Sequence, residues 1–81
     1  MKTLEKILKY EAEMQEINQL LTPREIDLIK LVANGYSNKQ IAEQRHISEG
    51  TVKVHLHNIF DKLRIKSRVA LTLYAQNKGL V

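Results

Sequence analysis

Cysteine is absent from this chain of 81 residues, and proline and glycine are scarce, with one and three residues respectively. Without cysteine the protein can form neither disulfides nor thiolate metal sites, which fits a reducing compartment. No apolar run approaches the roughly 20 residues that span a bilayer, and charges interrupt the N-terminus too often for a signal peptide. Because few residues break helices, long stretches keep helical periodicity and none predicts a strand. We therefore expect a small all-α cytoplasmic protein that holds no metal or other cofactor.

Positive charge is concentrated in the middle of the chain. Residues 37–68 contain seven Lys or Arg against three acidic residues, whereas residues 1–36 contain five against six. Such a basic stretch is typical of a surface that binds a polyanion such as nucleic acid. A solvated helix face with a surplus of cations explains the charge pattern equally well.

The first predicted helix covers about residues 3–19 and carries an apolar stripe at steps of three and four. A stripe of two heptads is too short to predict a coiled coil. The segment is therefore either an amphipathic helix that lies on the domain or a linker. The stripe consists of Ile7, Tyr10, Met14, Ile17 and Leu21.

Signals for helix ends predict four further helices. Thr22 can cap the second helix, with Pro23 at its first position and Glu25 completing a capping box, and Asn34–Gly35 ends it. The other three helices follow Ser37 (to about Arg45, with a second capping box to Gln40), Ser48 (Glu49 to about Leu63) and Ser67 (Arg68 to about Asn77). Only residues 46–48 separate the third helix from the fourth, which predicts a helix-turn-helix unit.

The helix predicted over residues 49–63 has two different faces. Its apolar face, which we expect to be buried, consists of Val52, Leu56, Ile59 and Leu63. The opposite face consists of Gly50, Lys53, Val54, His57, Asp61 and Arg64. Lys53 and His57 offer donors and Val54 an apolar patch, which suits guanine edges and thymine methyl groups in a major groove. The alternative is that Lys53 and His57 are ordinary solvated side chains.

Polar residues at the start of this helix and around it are expected to contact phosphates. Free N–H groups at a helix N-terminus can hold a backbone phosphate, and cations outside the helix can fix its register on a duplex without reading the base sequence. The expected phosphate contacts are Ser48, Thr51, Lys39, Arg45, Lys66 and Arg68.

From residue 21 to residue 81 the chain resembles the LuxR/NarL/FixJ (GerE-like) DNA-binding domain, most closely its NarL branch. The resemblance is carried by LTPRE at 21–25, NGYSNKQIA at 34–42, ISEGTVKVH at 47–55 and KLRIKSR at 62–68. It implies a four-helix domain whose 49–63 helix enters the major groove, with base contacts at the positions of Gly50, Lys53, Val54 and His57. Two positions depart from the family pattern. His57 stands where the NarL branch carries lysine, and Gly50 has no side chain where many members have a polar one.

The resemblance also implies dimerisation through the last helix, with two domains on an inverted repeat. The helical wheel agrees, because it places Leu71, Tyr74 and Ala75 on one side of this helix and a second set elsewhere. That second set consists of Val69, Leu73, Gln76 and Leu80. The residues expected to form the dimer interface are Val69, Leu73, Gln76 and Asn77. The alternative is that Val69 and Leu73 are isolated exposed apolar residues, which are common.

We interpret residues 1–20 as an N-terminal helix or linker and residues 21–81 as the LuxR-type domain. Twenty residues cannot form a receiver domain, so the chain is either a free-standing regulator or the C-terminal part of a longer response regulator of a two-component system; Met1 favours the first. The implied partners are double-stranded DNA, a second copy, an upstream receiver domain and RNA polymerase.

Two other functions compete with DNA binding. An enzyme would need a catalytic constellation, and the one local cluster, His55 and His57, lies two residues apart on a helix, so the side chains point about 200° away from each other. We therefore expect no enzymatic activity. A protein-interaction module on the same scaffold would be expected to show larger apolar residues along 50–57.

Overall fold

A computed structural model describes Leu8, Glu11, Met14, Gln15, Ile17 and residues 19–81. Four helices follow one another between residues 23 and 77: α1 (Pro23–Ala33), α2 (Asn38–Arg45), α3 (Glu49–Leu63) and α4 (Arg68–Asn77). The described residues from Leu8 to Leu20 are also helical, and no described residue lies in a strand. The predicted all-α fold is confirmed. Ile7 and Tyr10 of the predicted N-terminal stripe lie outside the described residues.

Short-range hydrogen bonds start α1 and α2 where the sequence predicts. Thr22 Oγ1 accepts the Glu25 N–H at 3.1 Å, and Glu25 Oε1 accepts the Thr22 N–H at 2.8 Å. Ser37 and Gln40 form the same reciprocal pair at the start of α2. Each box satisfies two backbone N–H groups that a helix start would otherwise leave unpaired. Both predicted capping boxes are confirmed.

The helices end in two different ways. Gly35 follows α1 with φ +89°, as the Asn34–Gly35 signal predicts. His46 after α2 and Arg64 after α3 adopt left-handed φ values of 56° and 55°, although neither is glycine. In both cases the next N–H bonds back into the helix, from Ile47 to Ala42 O and from Ile65 to Phe60 O. Neither end has a glycine, which is the usual sequence signal for a left-handed residue after a helix, so the sequence did not predict these conformations.

One apolar core joins the four helices. Helix α1 packs against α4 and α3, and α2 packs against α3. The apolar face predicted for α3 points into this core, although Leu63 at its end is only partly buried. Ile17 is also buried there, so part of the segment before residue 21 packs on the domain. The buried apolar residues are Ile17, Leu21, Leu28, Ile29, Leu31, Val32, Ile41, Ala42, Val52, Leu56, Ile59, Leu71, Ala75 and Leu80.

The prediction for Leu80 was wrong. The wheel placed it with Val69 and Leu73, but Leu80 is buried in the core. Helix α4 ends at Asn77, and Gly79 with φ +70° turns the chain so that the Leu80 N–H donates to Ala75 O at 2.9 Å. A wheel does not apply beyond the last helical residue, which is why the extrapolation failed.

Candidate nucleic-acid interface

The α3 outer face, which we define as Gly50, Lys53, Val54 and His57, is exposed along its whole length. Its position follows from packing, because Val52, Leu56 and Ile59 on the opposite side hold α3 against the core. Val54 is 60% exposed, with lysine and histidine beside it. An isolated exposed valine is common, but here it lies centrally in the first two turns of the second helix of a helix-turn-helix unit, where such units contact bases.

His57 has a charged neighbour one turn further along α3. Its Nε2 lies 3.3 Å from Asp61 Oδ2, and both side chains are largely exposed. Lys53 lies one turn in the other direction, so His57 stands between a cation and a carboxylate. Lys53 and His57 also line a shallow depression of about 330 Å³, whose other wall includes Asn38 of α2 and Arg68 of α4.

The N-terminus of α3 presents hydroxyl groups and a residue without a side chain. Ser48 Oγ accepts the Thr51 N–H at 3.0 Å and lies 2.9 Å from Thr51 Oγ1. Glu49 places a negative charge in the same turn, which opposes the attraction of a phosphate. A Cβ on Gly50 would meet only Ser48 Oγ, at an ordinary 3.7 Å. The packing of the domain therefore does not require glycine at position 50.

The four cations predicted to contact phosphates fall into two pairs. Lys39 and Lys66 are exposed and make no hydrogen bond or ion pair among the described residues. Arg45 Nη2 lies 2.6 Å from Asp27 Oδ1, with both side chains partly exposed. Arg68 donates from Nη1 to Asn38 Oδ1 at 2.6 Å and from Nη2 to Tyr36 O at 2.7 Å. Two of the four cations are thus already engaged within the protein.

The sequence did not predict that a buried carboxylate would form an ion pair with α3. Glu25 is buried, and its Oε1 lies 2.6 Å from Lys62 Nζ of α3. Burial alone would raise the pKa of Glu25, but hydrogen bonds from Lys62 and Thr22 outweigh it and hold the pKa below its ordinary value. The capping box revealed one role of Glu25, whereas no local signal connects residue 25 with residue 62.

The described part of the chain contains neither a cluster of metal ligands nor a helix that could cross a membrane. Within that part of the chain, no group of three or more His, Cys, Asp or Glu side chains could hold a metal ion. No helix formed by the described residues is long and apolar enough to cross a membrane.

Helices α2 and α3, joined by a three-residue turn and packed so that one face of α3 is exposed, define the class of helix-turn-helix DNA-binding domains. Residues 19–75 match the GerE family, described as bacterial regulatory proteins of the luxR family. This chain belongs to that LuxR family of bacterial regulatory proteins. The resemblance predicted from the sequence is thereby confirmed, and with it the assignment to DNA-binding regulation of transcription.

Two known relatives are response regulators by name. The nitrate/nitrite response regulator protein NarP of Escherichia coli (strain K12) is 52% identical over 61 residues, which cover 74% of this chain and 28% of NarP. The response regulator protein VraR of Staphylococcus aureus (strain Mu3) is 41% identical over 66 residues, which cover 82% of this chain and 32% of VraR. The matched part of this chain thus spans less than a third of the length of either relative.

Proposed function

We propose that this protein binds double-stranded DNA in a sequence-specific manner, with α3 in the major groove and with the α3 outer face contacting base edges. The observation that carries the proposal is the exposure of Lys53, Val54 and His57 together on the first two turns of α3. Lysine can bond guanine O6 and N7, and valine can contact the methyl group of thymine. A short, partly basic face of this kind fits base edges better than it fits a protein partner, whose binding would favour larger apolar side chains.

Phosphate contacts would orient the domain on the duplex. Lys39 precedes α3 in the chain and Lys66 follows it, and both ammonium groups are without a partner among the described residues. Ser48 and Thr51 add hydroxyl groups at the start of α3. Arg45 could reach a phosphate only by sharing or leaving its bond to Asp27. Such contacts supply affinity and register, while base contacts supply specificity.

The protein is proposed to act as a homodimer on an inverted repeat, through α4. Val69 is 71% exposed and Leu73 is 53% exposed, and they lie four residues apart on one side of the helix. Gln76 and Asn77 lie at the C-terminal end of α4, beyond Leu73, and are also exposed. Two copies related by a twofold axis would bury this apolar strip against itself, as a self-complementary interface requires.

The names of the relatives support a regulatory setting for this domain. NarP and VraR are named response regulators, and this chain matches less than a third of each. We infer that the domain is the DNA-binding effector part of a regulator of this type, with a receiver domain upstream, and that it acts in the bacterial cytoplasm.

Selection of bound sequences from a random duplex pool, at near-physiological salt, tests the proposal. Salt at this concentration weakens the phosphate attraction that would mask base readout at low salt. The expected result is an enriched inverted repeat for the unchanged chain and no enrichment for a Lys53→Ala, Val54→Ala double variant that remains helical. Weak binding without enrichment by the unchanged chain would contradict sequence-specific binding and favour a protein-interaction module.

A further inference from the structure

Arg68 forms hydrogen bonds to the residues immediately before and after the N-cap of α2. The guanidinium bonds to Tyr36 O and to Asn38 Oδ1, at 2.7 Å and 2.6 Å. These two residues flank Ser37, which is the N-cap of α2. The Arg68 side chain is partly buried, and its planar fork satisfies two acceptors at once, which a lysine ammonium cannot reproduce with the same geometry.

The Arg68–Asn38 pair stands between the two surfaces on which the proposed function depends. Both residues line the depression of about 330 Å³ that Lys53 and His57 share. Both also line a groove of about 720 Å³ that includes Val69, Leu73 and Gln76 of the proposed dimer face. The contact between Arg68 and Asn38 thus borders both the depression beside the α3 outer face and the groove beside the exposed side of α4.

Helix α2 is short and buries only a few residues against α3 and the core. It has only eight residues, and its buried residues are Ile41 and Ala42. The capping box of Ser37 and Gln40 is internal to this segment, so it stabilises the helix without orienting it against α4. The bonds from Arg68 connect this first turn, in which Lys39 lies, to α4.

We propose that Arg68 is a positioning residue for DNA binding, rather than the phosphate contact that the sequence suggested. It sets the first turn of α2, and with it Lys39, relative to α3 and to the dimer face of α4. This inference rests on the proposed function. Its physical basis is that the guanidinium of Arg68 already bonds to two internal acceptors at short distance. A phosphate would have to compete with them in order to bind this side chain.

The test compares Arg68→Gln, Asn38→Ala and their double variant with the unchanged chain on a duplex selected by that chain. Lys30→Ala is the matched control, because it removes one exposed positive charge from α1 outside the proposed interface. Affinity is measured across a salt series, and the melting temperature of each variant is measured in parallel. Asn38→Ala keeps Arg68 in place, so it remains informative if Arg68→Gln does not fold.

Positioning predicts that each single variant loses roughly 3- to 30-fold in affinity, and that the double variant loses little more. The slope of log affinity against log salt should stay unchanged. A slope lower by about 0.9 in Arg68→Gln, with normal binding by Asn38→Ala, would identify a direct phosphate contact and overturn the inference. Unchanged affinity with a lowered melting temperature would show a purely structural role. Absence of specific binding by the unchanged chain would instead overturn the proposed function itself.

Discussion

The ammonium group of Lys62 lies 2.6 Å from Oε1 of Glu25, the same oxygen that accepts the backbone N–H of Thr22. One carboxylate oxygen therefore both caps α1 and anchors the C-terminal half of α3. This contact lies on a flank of α3, away from the α3 outer face. It ties the C-terminal half of α3 to the start of α1.

The first prediction separates the two roles of Glu25. Glu25→Gln keeps a side-chain oxygen that can complete the capping box, as Gln40 does for Ser37, but it removes the charge. Because the Lys62 side chain is about one-third exposed, we expect a loss of about 1 kcal/mol in the free energy of unfolding. Glu25→Ala removes the cap as well and should cost about 2 kcal/mol. Urea denaturation followed by circular dichroism measures both.

Glu43→Gln is the matched control for this pair, because Glu43 is an exposed glutamate on α2. It should change stability by no more than about 0.5 kcal/mol. Equal losses in Glu25→Gln and Glu25→Ala would show that the cap contributes nothing beyond the ion pair.

The second prediction concerns acid stability. The folded protein holds the pKa of Glu25 below its ordinary value, so protonation costs more in the folded than in the unfolded chain. This stabilisation is present above the unfolded carboxyl pKa of about 4.3 and is lost as the pH falls through the lowered folded-state pKa. Melting temperatures between pH 7 and pH 3 should therefore fall less steeply in Glu25→Gln than in the unchanged chain. Parallel curves would contradict the lowered pKa.

The third prediction tests base contact by Lys53. Lys53→Ala should weaken binding to the selected duplex by about 1–3 kcal/mol and leave binding to random DNA nearly unchanged. Titrations by fluorescence anisotropy on both duplexes measure the difference. Lys66→Ala is the comparison, since an exposed cation that contacts only phosphate should weaken both complexes alike. The same behaviour in Lys53→Ala would assign Lys53 to the backbone.

The fourth prediction uses Gly50, where stability and DNA binding should change in opposite directions. A methyl group at this position meets only Ser48 Oγ, at 3.7 Å, so Gly50→Ala should stabilise the domain by about 0.5 kcal/mol. The same methyl group occupies the space into which a duplex would approach, so affinity should fall. Thermal melting and duplex titration measure the two effects.

Gly35→Ala is the control for the melting measurement on Gly50→Ala. Gly35 has φ +89°, so alanine there should destabilise the domain by about 1 kcal/mol through backbone strain. Unchanged DNA affinity in Gly50→Ala would show that the duplex does not approach this residue closely.

The fifth prediction tests the proposed dimer face. Leu73 is 53% exposed, so Leu73→Glu should leave the monomer helical while placing like charges opposite each other across a twofold interface. Binding to an inverted repeat should drop from two copies per duplex to one, as measured by sedimentation. Val81→Glu, an exposed apolar residue beyond α4, should keep two copies. Two copies in Leu73→Glu would contradict dimerisation through α4.

The bounds predicted for the four helices between residues 23 and 77 agree with the structure because the signals for them are local. The bonds at each helix start join residues three positions apart, such as Ser48 with Thr51 and Ser67 with Ala70. The periodicity of α3 likewise separated its buried from its exposed residues, because one helix has only one core to face. Where no local signal exists, as at His46 and Arg64, the conformation was not predicted.

The sequence by itself determined the helices, their order, the family, and the face of α3 that is exposed. Only the tertiary structure decided what the long cations do: Arg45, Lys62 and Arg68 find partners 18, 37 and 30 residues away in the chain. It also placed Leu80 in the core. The physical reason is that capping and periodicity depend on neighbours within one or two turns, whereas these contacts depend on the angles at which the helices pack, which no single segment encodes.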